Sequence, residues 1–455
     1  MKKLALASAI LAFAFSLNAS LARTQESKAA PPAGGQSPSS IAAPQSAQPA
    51  AQPPEQPRIT AYTLPPDLYK KTRNLDAIFF SLTIFRPLFD LFVLWMLLRW
   101  RLGVTYRNWA EHSSRRFVLQ GLLIAPLSVL TMDAINLPLR IFGLWVLRKY
   151  GLVVESWPSL GLDRLRGEAV NILTATVAVL ILYALIRKSP RRWWFYFWLA
   201  SLPLAFALVF IQPLVIDPLF NRFEPLAERD PALTVALERM VHRAGQDIPP
   251  ERMYWMDASA KETGLNAYVT GVGASKRIIV WDTTIAKMTT PQIVAVAGHE
   301  MGHYVLNHIT KGLLISGAGL LVGLFIGFHL IGWLLARKGA AWQIRGVDDW
   351  ASLPALAFLF GVFTFVAMPI TNGFSRYIEH QADQYALEVT HGLTPDSSQV
   401  AAQMFQILGE TDLDYPDPGP IDVFLTYDHP ATRDRVRFAL TYDPWSKGGT
   451  GEFVH

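Results

Sequence analysis

The chain has 455 residues, of which 51% are hydrophobic, 17% are charged and none is cysteine. That length allows more than one domain, and the absence of cysteine excludes disulfides, thiolate catalysis and Cys-ligated metals, leaving His, Asp and Glu as metal ligands. The formal charge of +5 is modest, and much of the Lys and Arg lies in short loops between apolar runs, which reads as membrane topology and not as a nucleic-acid surface.

Residues 1–22 read as a bacterial secretory signal. Lys2 and Lys3 form the charged start, Leu4 to Leu17 the apolar stretch, and Ser20-Leu21-Ala22 a small-x-small cleavage site. An uncleaved anchor is the alternative. Residues 23–58 are rich in Pro, Ala, Gln and Ser; they cannot bury a core and are expected to be a flexible linker.

Six apolar segments of membrane-spanning length follow, near 75–98, 117–147, 168–187, 193–216, 312–336 and 350–371. The first carries Arg86 and Asp90 one turn apart. The second is interrupted by Asp133, Asn136, Pro138 and Arg140, so it is expected to face protein or water for part of its length. Trp193, Trp194 and Trp198 open the fourth as an interfacial belt. Loops 99–116, 187–192 and 337–345 carry 5, 4 and 3 Lys/Arg and alternate along the chain, as cytoplasmic loops do. Loop 148–167 holds four on the opposite side. On this reading 217–311 and 372–455 face the periplasm of a multi-pass protein in the bacterial inner membrane. Within 217–311, Leu233 to Gly245 reads as an amphipathic helix. Ala267 to Thr270 and Arg277 to Trp281 read as short strands around a Gly-rich turn, and Gln292 to His308 as a helix.

That last helix holds His299-Glu300-Met301-Gly302-His303. Histidines four apart share a helical face and can grip one metal ion, while the glutamate faces the open coordination side, where it can take a proton from water. With ten histidines in the chain, the pattern arises by chance in roughly one such chain in a hundred, so a third ligand is needed. Ser375-Arg376-Tyr377-Ile378-Glu379-His380-Gln381-Ala382-Asp383 offers it. Glu379 and Asp383 share a face; Glu379 can ligate zinc while Asp383 accepts from a ligand histidine's other nitrogen. By spacing alone an exposed, charge-rich helix face fits as well, and His380 is an alternative ligand on another face. His308 and Asn307 read as helix-end residues, and His329 as a packing residue.

The two motifs, separated by two spans, resemble the integral-membrane zinc endopeptidases of the CAAX prenyl protease type. Ile216-Asp217-Pro218-Leu219-Phe220-Asn221-Arg222-Phe223 is similar to the family's segment ahead of its catalytic domain. Asn266-Ala267-Tyr268-Val269-Thr270-Gly271 is similar to its N-A-Y-x-x-G strand, and His429-Pro430-Ala431-Thr432 with Arg435 to its C-terminal motif. The resemblance covers roughly residues 75–440 in the family's order. It implies a mainly α, polytopic membrane protein with a zincin-like peptidase domain carrying a small β-sheet, the domain divided into 217–311 and 372–455. The membrane helices would occupy 59–216 and 312–371. It implies one Zn2+ per chain on His299, His303 and Glu379, and Glu300 as base. His429 is implied as oxyanion donor, with Asp383 and Arg435 behind the ligands. Asn266, Ala267 and Tyr268 would form an edge to which a protein or peptide substrate adds as a strand. Eukaryotic members have seven spans and a cytosolic site. Here a signal-like segment and linker replace the first span, and the orientation is opposite, which sets prenylated cytosolic substrates aside. A narrow prenyl-type processing enzyme, a non-catalytic scaffold or chaperone, and a transporter are the alternatives. The transporter fits poorly, because the polar constellation lies mainly outside the spans.

Overall fold

The computed structural model describes residues 57–271 and 275–454. The signal segment, nearly all of the linker and the centre of the Gly-rich turn lie outside these residues. Twelve helices longer than six residues follow in chain order. The first five are α1 (Pro66–Arg99), α2 (Leu102–Ser113), α3 (Phe117–Tyr150), α4 (Trp157–Lys188) and α5 (Trp193–Ile211). Strands β1 (Phe223–Pro225), β2 (Met253–Met256), β3 (Ala267–Thr270) and β4 (Arg277–Trp281) form one sheet, with α6 (Pro231–Arg243) between the first two. Next come α7 (Thr290–Val305), α8 (His308–Trp342), α9 (Leu353–Thr390), α10 (Ser397–Asp412), α11 (Pro420–Thr426) and α12 (Thr432–Thr441).

Among the described residues, five helices are long and apolar enough to cross a membrane: α1, α3, α4, α8 and α9 with its preceding turn. The expected fourth segment is shorter. Its apolar helix gives way at Gln212–Ile216 to a π-turn opening on Pro213. Loop 99–116 is largely helical, as α2, and half of loop 148–167 belongs to α4. Charge density marked both as loops, yet Arg and Glu are good helix formers. Arg107 of α2 is buried against Asp349 at 2.7 Å.

Helix α3 runs unbroken through Pro126 and Pro138 and stops at Gly151, whose left-handed φ of 77° caps it. Its polar interruptions all find protein partners. Asn136 donates to Asp90 of α1 at 2.8 Å. Asp133 pairs with Arg140 and with Arg164 of α4, and Arg164 reaches Glu168 at 3.0 Å. Ionisable groups at this depth persist when paired in this way. Arg86 lies close to Gly143 of α3, where a Cβ would meet its guanidinium. The tryptophans fasten α5 to α8: Trp193 and Trp194 meet Phe328 and Phe325 edge-on, and Trp198 donates to the Gly317 carbonyl at 2.8 Å.

Both strands expected around the Gly-rich turn form with the expected bounds. The sheet order is β1-β2-β4-β3, with β2 and β4 parallel and the outer pairs antiparallel. Its inner face packs with α6, α7, α9, α10 and α12 into the largest apolar core of the chain. Residues 57–64, assigned by sequence to linker and membrane part, lie instead along α10. Gln399 exchanges two hydrogen bonds with the Ile59 backbone, Gln406 does the same with Thr63, and Gln403 donates to the Pro57 carbonyl.

Helix α7 begins at Thr289, whose N–H donates to Gln292 at 2.9 Å, with a proline in the first turn. It crosses α9 at unusually close range. A Cβ on Gly298 would stand 3.0 Å from Val389, and one on Gly302 would stand 3.0 Å from Tyr385 Cβ and 3.2 Å from Ala382 Cα. A branched side chain at 302 must push the helices apart. Gly302→Val is expected to destabilise the fold by about 1–3 kcal/mol, an ordinary overpacking cost. Thermal unfolding in detergent reads this directly, and a variant that melts with the parent would show that the close approach is not required.

Candidate active site

His299 and His303 lie one turn apart on the face of α7 that meets α9, and both are buried. From α9, Glu379 enters between them, 1% exposed. His299 Nε2 stands 3.1 Å from Glu379 Oε2 and 3.2 Å from His303 Nε2, and His303 Nε2 stands 3.5 Å from Glu379 Oε1. Two donors each about 2 Å from a tetrahedral metal lie about 3.3 Å apart, so the three atoms fit one ion. Glu379 Oε2 is buried and accepts no well-directed hydrogen bond. A buried carboxylate oxygen left so is costly unless a cation completes it. These three residues could therefore hold a metal. Among the described residues they are the one group of His, Asp and Glu with converging donors. His380, the alternative ligand, is exposed and packs on Phe438, away from the site.

Behind His299, Asp383 Oδ1 accepts from Nδ1 at 2.8 Å. Asp383 in turn receives Arg435 of α12 in a two-pronged contact, Nε at 2.8 Å and Nη2 at 2.6 Å. Glu379 and Asp383 thus take the two roles that one helical turn allows: one carboxylate in front of the histidine, one behind. Burial disfavours a charged His299 ring, but the Asp383 hydrogen bond and the adjacent Glu379 carboxylate outweigh it and lift the ring to about 9. A metal would bind in place of that proton. Burial likewise opposes the Arg435 charge, and Asp383, Glu379 and Asp414 overcome it and hold the guanidinium protonated.

Glu300 follows His299 and is half-buried. No described side chain makes a hydrogen bond or ion pair with it, so its carboxylate is open to a proton. His429 precedes α12. Its Nδ1 donates to Asp428 at 2.9 Å, which turns Nε2 towards the site, 3.6 Å from Glu379 Oε2.

Strand β3 lies at the sheet edge and against α7. Tyr304, one residue past His303, donates to the Gly271 carbonyl at 2.6 Å and ties the metal helix to the strand end. Asn266 faces inward: its N–H goes to Thr284 at 2.7 Å, and its carbonyl accepts from Trp281 at 3.0 Å. Antiparallel alternation then directs the backbones of Ala267 and Val269 to the outer edge. The Tyr268 side chain packs with Met256, Ile279 and Trp281 on the sheet's outer face. Of the three residues expected at the edge, Ala267 alone offers its backbone outward.

His308 was read from the sequence as a helix end. It is fully buried, with its ring against His303. The sequence signal was the histidine itself, five residues past His303, a spacing at which a continuous helix points the two apart.

Residues 227–443 match the model of peptidase family M48, and residues 48–222 match that of the CAAX prenyl protease N-terminal region, five membrane helices. The metalloprotease YhfN of Bacillus subtilis is 34% identical over 355 residues, covering 77% of this chain and 80% of its own length. The CAAX prenyl protease 1 homolog of Homo sapiens is 24% identical over 388 residues, covering 75% and 78%. The crystal structure of S. mikatae Ste24p has the same fold, with a TM-score of 0.70 over 83% of this chain and 90% of that one, at 21% identity. The chain belongs to peptidase family M48 and is a multi-pass membrane metalloprotease.

Proposed function

We propose that the protein is a zinc endopeptidase whose metal ligands are His299, His303 and Glu379, acting on protein or peptide substrates at the surface of a lipid bilayer. The carrying observation is the convergence of three buried donors at tetrahedral spacing beside a carboxylate, Glu300, that has no hydrogen-bond or ion-pair partner among the described side chains. Bound there, zinc supplies Lewis-acid polarisation of a water and of the scissile carbonyl. Glu300 takes the proton of the attacking water and delivers it to the leaving amine. With Nδ1 held by Asp428, His429 presents Nε2 to the developing oxyanion as a donor. Asp383 fixes the His299 tautomer with Nδ1 protonated, and Arg435 holds Asp383 in place. The substrate backbone adds to β3 at Ala267 as an extra strand, a mode that reads main chain and accepts many sequences.

The peptidase domain comprises 217–311 and 372–455, joined through two spans. Its placement on the periplasmic side of a bacterial inner membrane rests on the alternation of Lys/Arg between loops. That orientation sets cytosolic prenylated proteins apart as substrates, although several relatives are named CAAX prenyl proteases.

Glu300→Gln is expected to lower proteolysis of casein by at least about 100-fold, the scale of a lost general base, with zinc content unchanged. Cleavage at the parent rate would remove Glu300 from the mechanism. Asp383→Ala is expected to weaken zinc binding about 10–100-fold in a chelator competition. It also leaves Arg435 buried without its carboxylate, a loss of about 3–5 kcal/mol visible as a lowered unfolding midpoint. A reporter fused after His455 is expected to be active in the periplasm; cytoplasmic activity would reverse the orientation.

A further inference from the structure

The two metal-facing histidines are backed differently. His299 leans on a carboxylate, Asp383. His303 turns its Nδ1 to the Nδ1 of His308 at 3.2 Å, and His308 Nε2 lies 3.2 Å from Gln381 Oε1 on α9. His308 is 0% exposed.

Proton counting fixes every member of this row. His303 Nε2 points at His299 and Glu379. To give that lone pair to a metal, the ring must carry its hydrogen on Nδ1. The atom facing that hydrogen is His308 Nδ1, which must accept. His308 then carries its own hydrogen on Nε2 and donates it to the Gln381 carbonyl oxygen. Reversing the Gln381 amide would set two N–H groups against each other, or force His308 into the tautomer that opposes His303. The row His303 Nδ1–H to His308 to Gln381 is the single arrangement in which both rings are neutral and both contacts are hydrogen bonds.

The backbone is bent to build it. Asn307 adopts a left-handed φ of 56° between α7 and α8. Asparagine is among the few non-glycine residues that tolerate this region. The turn swings His308 back behind His303, which a continuous helix would not do.

We infer that His308 and Gln381 are positioning residues for the metal: together they hold His303 in its Nδ1–H tautomer, with Nε2 free to ligate. This inference rests on the ligand assignment proposed above. It gives α9 three parts in the centre: Glu379 in front, Asp383 behind His299, and Gln381 behind His303 through His308.

The test is zinc affinity of the full-length protein in detergent, by chelator competition, with the unfolding midpoint of the zinc-stripped protein measured in parallel. His308→Phe keeps a buried ring without an acceptor, and Gln381→Leu keeps volume without the amide. Each is expected to weaken zinc binding about 10–100-fold, with the zinc-stripped midpoint of Gln381→Leu close to that of the parent. Gln381→Glu retains an acceptor at the same place and is expected to bind within about threefold of the parent. A purely structural role would give equal losses for Leu and Glu at 381, or a lowered midpoint with unchanged affinity, and would overturn the inference. If His308→Phe does not fold, Gln381→Leu against Gln381→Glu decides. Parent-like affinity in both His308→Phe and Gln381→Leu overturns the positioning role while leaving the ligands standing. Undiminished affinity in His303→Ala would overturn the ligand assignment itself.

Discussion

The closeness of α7 to α9 is the constraint on which the site depends. Gly298 and Gly302, four residues apart, form a side-chain-free strip on α7 that lies against Ala382, Tyr385, Ala386 and Val389 of α9. Small residues at this spacing let helix backbones approach. The same turns carry His299 and His303, so the approach that packs the helices also sets the distance from the imidazoles to Glu379. Metal sites tolerate about half an ångström of error in their donors. A wider crossing would leave Glu379 charged, buried and out of reach. One glycine therefore lies inside the H-E-x-x-H motif for packing, and the two histidines for chemistry.

Much of this was legible in the sequence because it is local. Four-residue spacing placed His299 with His303 and Glu379 with Asp383. Short apolar runs on either side of a Gly-rich turn gave both strands with correct bounds, and long apolar runs gave the membrane-length helices. What escaped was set by tertiary contact. Arg435, which the family resemblance placed behind the ligands, reaches Asp383 across 52 residues, a pairing that no periodicity encodes. The contact of His308, a helix-end residue as expected, with His303 follows from one left-handed residue, Asn307, whereas helical spacing assumes an unbroken backbone. The contact of residues 57–64 with α10 runs through glutamines on extended backbone. Such bonds leave no hydrophobic pattern, so the segment reads as linker.

The supports behind the two histidines differ in kind. Asp383 carries a full charge, balanced by Arg435 in the closest buried ion pair around the metal helix. The His308–Gln381 row is neutral along its length. A carboxylate behind a ligand imidazole raises its basicity and strengthens its bond to a metal. A neutral row orients the ring without adding negative charge. With Glu379 also anionic, a second charged support would leave the buried centre with two carboxylates behind the histidines and one arginine to balance them. Confining the charged support to the side that α12 can reach with Arg435 keeps the desolvation penalty of the centre in check.

Helix α9 also fixes where proteolysis occurs relative to the bilayer. It is continuous from Leu353 to Thr390, so one rigid body is both a membrane-length helix and the carrier of Glu379, Gln381 and Asp383. Nine residues separate the exposed Ile370 from Glu379, a rise of about 14 Å. On the other side α8 begins at His308, directly after the metal helix, and leads back into its own apolar run. Each half of the centre is thus joined directly to a membrane-length helix, α7 to α8 and the Glu379 turn to the rest of α9. A site held in this way cannot swing out to meet a substrate in bulk solution. On the proposed function, a substrate would meet this site close to the membrane surface.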